Sequence, residues 1–188
     1  MKIGVLALQG AFAEHVAALR AIGVEAVEVR LPEQLDDVDG LIIPGGESTT
    51  MRNLIRRWNM REPILALAER GAPLFGTCAG MIVLSRQIEG GEEPILPLLD
   101  VTVERNAFGR QLDSFEADLS VPVLGDRPFH AVFIRAPVVE RAGDGVEILA
   151  SVGERPVLAR RGAVLVSSFH PELTADGRLH RYFLEEVA

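Results

Sequence analysis

The first half of the chain alternates between continuous apolar runs and apolar residues at helical spacing. Ile3–Leu8 is an uninterrupted apolar run, typical of a strand covered on both faces. Ala11–Ile22 follows with apolar residues spaced three or four apart and with Gly23 after its last turn, which predicts a helix. A second strand is predicted at Val24–Val29 and a third at Gly40–Ile43.

The same alternation continues to about residue 87. Ser48 is the predicted N-cap of the next helix. Pro63–Arg70 predicts another helix, Pro73–Phe75 a short buried strand, and Ala79–Ser85 a further helix. Strands that alternate with helices favour an α/β fold with a doubly wound, mostly parallel sheet and helices on both faces.

The pattern changes in the second half of the chain. Residues from about 98 to 168 contain short strands with turn signals, of which Phe129–Ala136 and Ala163–Phe169 are the clearest. A final helix is predicted at Asp176–Val187. No linker composition separates the two halves, so we expect residues 1–188 to form a single domain with an antiparallel extension.

Composition narrows the functional classes. The net charge of the 188 residues is -8, which provides no general attraction for nucleic acid or an anionic membrane. The single cysteine excludes an intramolecular disulfide, and no apolar stretch approaches the roughly 20 residues of a membrane span. We therefore expect a cytoplasmic protein with neither nucleic acid nor membrane as a partner. Without a phosphate-binding loop or clustered metal ligands, we expect no cofactor and no metal.

Gly76-Thr77-Cys78-Ala79-Gly80 stands between a predicted strand and a predicted helix. This is the arrangement of a nucleophile elbow with cysteine in place of serine. The following helix N-terminus favours a thiolate, and the amide of Ala79 is placed to donate to an oxyanion. A lone cysteine is otherwise most often a small buried hydrophobic residue, so the elbow alone leaves both interpretations open.

His170-Pro171-Glu172 favours the catalytic interpretation. Pro171 biases His170 toward an extended conformation, in which side chains two apart point to the same side. Glu172 can then hold the imidazole in one tautomer and leave its other nitrogen to face a thiol. The other histidines, His15, His130 and His180, are scattered, and we expect structural or surface roles for them.

Pro44-Gly45-Gly46-Glu47-Ser48 follows a predicted strand, at the sheet edge where parallel sheets bind ligands. The glycines allow close approach of the backbone to a substrate, and the Gly46 amide could be a second oxyanion donor. The Gly45–Gly46 peptide could flip easily and turn this donor away.

Six segments occur in order along the chain: GVLALQG (4–10), PGGEST (44–49), GTCAGMI (76–82), VERNAFGRQ (103–111), FIRAP (133–137) and SSFHPE (167–172). Together they resemble the class I glutamine amidotransferases, whose fold is flavodoxin-like. More narrowly, they resemble the glutaminase subunits of pyridoxal 5'-phosphate synthases.

The resemblance implies roles for these residues. Cys78 would be the nucleophile, His170 the general base and acid, and Glu172 the residue that orients it. The amides of Gly46 and Ala79 would form the oxyanion hole. The substrate L-glutamine would be bound by Gly46, Glu47, Ser48, Arg105, Ile134 and Arg135.

The resemblance also implies a partner, the pyridoxal 5'-phosphate synthase subunit, in a large hetero-oligomeric complex that receives the ammonia. Because the Gly45–Gly46 peptide could flip easily, we expect weak activity from the isolated chain. Three alternatives remain: a glutaminase subunit for another synthase, a stand-alone cysteine hydrolase, and a non-catalytic thiol sensor on a related fold. The His170–Glu172 pair argues against the sensor, because a reactive thiol needs no base with its own acid.

Overall fold

The computed structural model describes residues 1–109 and 114–187. In these ranges the α-helices are α1 (Phe12–Ala21), α2 (Ser48–Arg57), α3 (Arg61–Glu69), α4 (Ala79–Leu84) and α5 (Arg178–Tyr182). The strands are β1 (Lys2–Leu6), β2 (Glu25–Val29), β3 (Gly40–Ile43), β4 (Leu74–Thr77), β5 (Ser85–Ile88), β6 (Leu99–Glu104), β7 (Ser114–Leu119), β8 (Phe129–Ile134), β9 (Val138–Ala142), β10 (Glu147–Val152), β11 (Arg155–Arg161) and β12 (Val164–Ser167).

A seven-stranded sheet forms the centre of the fold, in the order β10-β11-β12-β4-β3-β1-β2. The five strands from β12 to β2 are parallel, and β10 and β11 extend the sheet in antiparallel orientation. The parallel part has the flavodoxin-like strand order, with β12 in the fifth position. The doubly wound sheet with an antiparallel extension is therefore confirmed.

Helices cover both faces of this sheet, because successive residues of each central strand point to opposite sides. Ile42 packs with the cluster that includes Leu19 of α1 and Phe183 after α5. Its neighbour Ile43 packs in the opposite cluster, with Ile55 of α2 and others from α3 and α4. The two apolar layers explain why the central strands are continuous apolar runs.

Two smaller sheets lie outside the central one. One has the order β5-β6-β9 and the other is the antiparallel pair β7-β8. Three phenylalanines connect the hairpin to its surroundings: Phe115 stacks on Phe133 with centroids 4.5 Å apart, and Phe108 lies edge-on to both. This packing brings the end of β8 over the carboxyl edge of the central sheet, where the site is built.

One local prediction was wrong. Ser48 is not the N-cap of α2; Glu47 is, and its carboxylate accepts hydrogen bonds from the amides of Thr49 (2.9 Å) and Thr50 (2.7 Å). The final helix is present as predicted, but it changes at Phe183 from the α-helix α5 to a π-helical turn that spans Phe183–Val187. No helix in residues 1–109 and 114–187 is long and apolar enough to cross a bilayer.

Candidate active site

A cleft of about 300 Å³ opens at the carboxyl ends of the parallel strands. Every predicted site residue except the buried Glu172 lines it. The lining residues are Gln9, Gly46, Glu47, Ser48, Cys78, Ala79, Ile82, Arg105, Asn106, Ile134, Arg135 and His170. Residues far apart in sequence meet here because β1, β3, β4 and β12 run parallel and end at one edge.

Cys78 stands at the sharp turn between β4 and α4. Its backbone has φ 49° and ψ -103°, a conformation that non-glycine residues rarely adopt. The amide of Cys78 donates to the Ser167 carbonyl at 2.7 Å, which ties the elbow to the end of β12. The thiol is 7% exposed, and its Sγ lies 3.7 Å from the Ile134 carbonyl oxygen.

The elbow glycines are required by packing rather than by a left-handed conformation. A Cβ atom on Gly76 would lie 2.6 Å from the Gly80 carbonyl oxygen. One on Gly80 would lie 3.0 Å from the Ile43 carbonyl carbon at the end of β3. Both distances are shorter than an ordinary van der Waals contact. Cys78 therefore has the unusual backbone angles of the turn, whereas Gly76 and Gly80 are needed because neighbouring backbone packs directly against them.

His170 and Glu172 form a buried hydrogen-bonded pair. His170 Nδ1 and Glu172 Oε1 are 2.7 Å apart, and the two residues are only 6% and 7% exposed. The predicted meeting is confirmed, but the predicted extended route is wrong. Pro171–Leu173 forms a 3-10 turn, which brings the carboxylate back under the ring.

The protonated form of His170 is strongly favoured. Burial lowers the pKa of His170, but hydrogen bonds with Cys78 and Glu172, and the negative charge of both, outweigh it and raise that pKa from 6.5 to about 10. An imidazolium beside Cys78 has the charge that stabilises a thiolate.

The glycine-rich segment after β3 packs against the loop between β1 and α1. The Gly45 carbonyl accepts a hydrogen bond from the amide of Ala11 at 3.0 Å. Gln9 Oε1 accepts one from the Glu47 amide at 3.1 Å and lies against Gly46. The carbonyl of the Gly45–Gly46 peptide therefore has a defined partner on the loop between β1 and α1.

Arg105 is already paired with an acid. Glu92 bridges Arg105 and the buried Arg52, one carboxylate oxygen to each guanidinium, and the Glu93 carbonyl also accepts from Arg52. Arg105 Nε is buried without a hydrogen-bond partner among the described residues. The guanidinium that the resemblance assigns to substrate binding is thus already paired with the Glu92 carboxylate.

Sequence reasoning missed several members of this site. Gln9 and Asn106 line the cleft, and both lie inside quoted motifs whose positions could have identified them. Ile82 lies one helical turn after Cys78, a spacing that places the two residues on the same side. Nothing local indicated Glu92. Positions 110 and 111 of the VERNAFGRQ motif lie outside the described residues.

The three other histidines fall where structural or surface roles were expected. His130 is exposed between Glu116 and Asp118 on the hairpin. His15 and His180 are fully buried; His15 lies next to Glu172, and His180 lies next to His15. In residues 1–109 and 114–187, no group of three or more His, Cys, Asp or Glu side chains is arranged to hold a metal ion.

Comparison with known proteins gives consistent matches over the whole chain. Residues 5–188 match the SNO glutamine amidotransferase family. The chain is 61% identical over 186 residues to the pyridoxal 5'-phosphate synthase subunit PdxT of Pelotomaculum thermopropionicum, covering 99% of this chain and 95% of that one. It is 55% identical over 187 residues to PdxT of Moorella thermoacetica, with all of both chains covered.

Solved structures agree with these matches. A crystal structure of a glutamine amidotransferase superposes with a TM-score of 0.93 at 56% identity, covering 98% of each chain. PurLQS from Thermotoga maritima shares the fold, with a TM-score of 0.73 at 19% identity over 100% of this chain and 99% of that one. On this evidence the chain belongs to the SNO glutamine amidotransferase family.

Proposed function

We propose that this chain, as one domain, hydrolyses L-glutamine to L-glutamate and ammonia through a thioester on Cys78. The observation that carries the proposal is the buried pair of His170 Nδ1 and Glu172 Oε1, 2.7 Å apart, beside a cysteine held at φ 49°. A base with its own orienting acid next to an elbow thiol supports acyl transfer rather than passive packing.

The first half of the reaction breaks the amide bond. The thiolate of Cys78 attacks the side-chain carbonyl carbon of glutamine, and the carbonyl oxygen becomes an oxyanion that the amides of Gly46 and Ala79 stabilise. The His170 imidazolium gives its proton to the amide nitrogen as the carbon–nitrogen bond breaks. Ammonia leaves, and the glutamyl group stays on Cys78 as a thioester.

The second half regenerates the enzyme with one water molecule. Neutral His170 takes a proton from water, whose oxygen attacks the thioester carbon, and the same two amides stabilise the second oxyanion. The carbon–sulfur bond breaks, glutamate leaves, and the thiolate is again paired with the imidazolium. Glu172 stays ionised throughout and holds the ring in place.

The remaining cleft residues bind the amino-acid end of glutamine. Arg105 is the counter-ion for its α-carboxylate, since a guanidinium matches a carboxylate in charge and in geometry. Glu47, Ser48, Ile134 and Arg135 complete the walls of the cleft. In the free enzyme Arg105 forms an ion pair with Glu92, so the α-carboxylate of the substrate has to displace the Glu92 carboxylate.

We further propose that the ammonia is delivered to a pyridoxal 5'-phosphate synthase subunit in a hetero-oligomeric complex in the cytoplasm. Support comes from the relatives that carry the name of that synthase at 61% and 55% identity over nearly the whole chain. Free ammonia would be protonated at neutral pH, which favours transfer within a complex. The expected weak activity of the isolated chain stays a prediction.

The test measures glutamate release from glutamine with and without the synthase subunit. Wild type is compared with Cys78→Ala and His170→Gln, and His130→Gln is the matched control because His130 is an exposed histidine on the hairpin. Both site variants should lose turnover and the control should keep it.

The partner and the chemistry are separated by the same experiment. Turnover that is unchanged by the synthase subunit would indicate another synthase or a stand-alone hydrolase. No turnover in any mixture would favour the thiol sensor and end the proposal.

A further inference from the structure

The second oxygen of Glu172 faces a buried pair of histidines that the mechanism does not use. His15 Nε2 lies 3.3 Å from Glu172 Oε2 and 3.1 Å from Thr77 Oγ1. On its other side, His15 Nδ1 lies 3.1 Å from His180 Nε2. His15, Thr77 and His180 are completely inaccessible to solvent. The mechanism gives no role to these two imidazole rings, although they are buried behind the Glu172 carboxylate.

Glu172 Oε2 is itself the reason to look for a donor. It is buried, and no hydrogen bond of good geometry reaches it from the described residues, although His15 Nε2 is within ion-pair distance. An ionised carboxylate oxygen without a donor is expensive to bury. His15 Nε2 is the nitrogen that a small rotation would bring into line.

Electrostatics decides between the two ways of placing the ring protons. If His15 carried its proton on Nδ1, the lone pair of Nε2 would face the negative Oε2 at 3.3 Å. His180 would then have to protonate Nδ1, leaving a buried N–H without an acceptor, because that atom has no partner. The opposite arrangement removes the repulsion at Glu172 and leaves His180 Nδ1 as an acceptor without a partner instead of an N–H group without one. His180 donates from Nε2 to His15 Nδ1, and His15 donates from Nε2 toward Glu172 and Thr77.

His15 acts as a neutral donor in this arrangement. Burial, and then the neighbouring His180 and His170, hold the pKa of His15 well below 6.5. A charged His15 would compete with His170 for the negative charge of Glu172. A neutral N–H fixes the direction of the carboxylate while leaving that charge to the catalytic imidazolium.

We infer that His15 is a positioning residue, whose neutral Nε2–H group orients Glu172 toward His170, with His180 fixing the tautomer of His15. The inference rests on the proposed triad and extends it through α1 and α5. Thr77 directly precedes Cys78, so the same cluster also touches the strand that carries the nucleophile. The orientation of the His170 ring thereby depends on α1 and α5, which are distant from each other in sequence.

Two substitutions at His15 separate positioning from packing. A glutamine amide nitrogen can replace Nε2 and still reach Glu172, whereas an asparagine side chain can replace only Nδ1 and reach only His180. With the synthase subunit present, we expect His15→Gln to stay within about threefold of wild-type kcat. His15→Asn should lose about tenfold to a hundredfold in kcat, with KM within about twofold.

A second readout does not require turnover. The proton on His170 Nδ1 is shared with Glu172 at 2.7 Å and should give a downfield proton NMR resonance. We expect it in wild type and in His15→Gln, and expect it to broaden or shift upfield in His15→Asn. Melting temperatures of the two variants should fall by similar amounts, because both replace the same buried ring.

The outcomes are distinct. If the two variants lose activity equally and the resonance is unchanged in both, His15 is only a packing residue and the inference is overturned. If wild type hydrolyses no glutamine, the proposed function fails, and the resonance still tests His15. Should His15→Asn not fold, His180→Gln, which keeps a donor at Nε2, and His180→Asn, which does not, provide the same comparison.

Discussion

Gly45 and His170 are in such close contact that a Cβ atom on Gly45 would lie 2.9 Å from His170 Nδ1 and would overlap its Cε1. The same atom would lie 3.3 Å from the Cβ of Cys78. Because Gly45 has no side chain, the imidazole can rest against the backbone that follows β3. The glycine-rich segment therefore positions the His170 ring as well as lining the cleft.

Gly45→Ala should reduce glutamine hydrolysis by at least about a hundredfold, because it displaces the ring that His170 presents to Cys78. Gly23→Ala is the control: that glycine has φ +83° and open space around it. The control should cost about 1 kcal/mol of stability and leave kcat unchanged. Equal kcat in Gly45→Ala and wild type would contradict the close packing described above.

The high-pH limit of activity should depend on Glu172. The hydrogen bonds and negative charges of Glu172 and Cys78 raise the pKa of His170 to about 10. In wild type the imidazolium needed for ammonia release thus survives well above neutral pH. Glu172→Gln removes the charge, so the basic limb of the kcat/KM profile should move to lower pH. The maximal rate should also fall about a hundredfold or more. A basic limb at the same pH in both proteins would refute the role of Glu172.

Acid should destabilise the fold through the buried histidines. Burial lowers the pKa of His180 to about 4, whereas the unfolded chain takes up that proton near pH 6.5. The unfolded state therefore binds more protons between these values, and the free energy of unfolding should fall as pH decreases from 6.5 to 4. The slope approaches about 1.4 kcal/mol per pH unit for each such histidine. Urea titrations at several pH values should show a shallower decline in His180→Gln.

The cap of α2 makes a separate contribution to stability. Hydrogen bonds from Thr50 and Thr49 outweigh the effect of burial and lower the pKa of Glu47 to about 2. The stabilisation is complete above pH 4.5 and is lost as pH falls from there toward 2. Glu47→Ala should destabilise the protein by about 1 kcal/mol at pH 7 in urea unfolding, because two helix amides lose their acceptor. An equal loss at pH 7 and pH 2 would show that the charge is irrelevant.

Glu92 should compete with substrate for Arg105. Glu92→Gln removes the charge that pairs with this guanidinium, so KM for glutamine should fall about two- to fivefold with kcat unchanged. Glu93→Gln is a matched control, because the neighbouring Glu93 carboxylate pairs with the half-exposed Arg56 instead. A KM that rises in Glu92→Gln would mean that Glu92 supports Arg105 rather than blocking it.

Most of the fold could be predicted from local patterns because the central strands are buried on both faces. β3 was predicted to the residue, and the other parallel strands of the central sheet to within a few positions. The Ser48 cap was wrong because an acidic side chain one position earlier reaches the same amides. The route from His170 to Glu172 was wrong because a proline can start a 3-10 turn as readily as prolong a strand.

The site was predictable where its residues lie in short motifs and not where it depends on packing between distant elements. Cys78 and His170 stand in recognisable segments at strand ends. His15 and His180 are 165 positions apart and meet only because α1 and α5 cover the same face of the sheet. No local pattern could connect Glu92 with both Arg52 and Arg105, since that contact depends on how a loop folds back.

The position of β12 between β4 and β11 has a consequence for the order of synthesis. β4 leaves the ribosome with Cys78 at its end long before β12, His170 and Glu172 are translated. Until then one edge of β4 has no neighbour, the thiol has no base, and the Cys78 amide lacks the Ser167 carbonyl that anchors it. If the proposed mechanism holds, a nascent or truncated chain without these residues is inactive, and Cys78 becomes reactive only after β12 has joined the sheet.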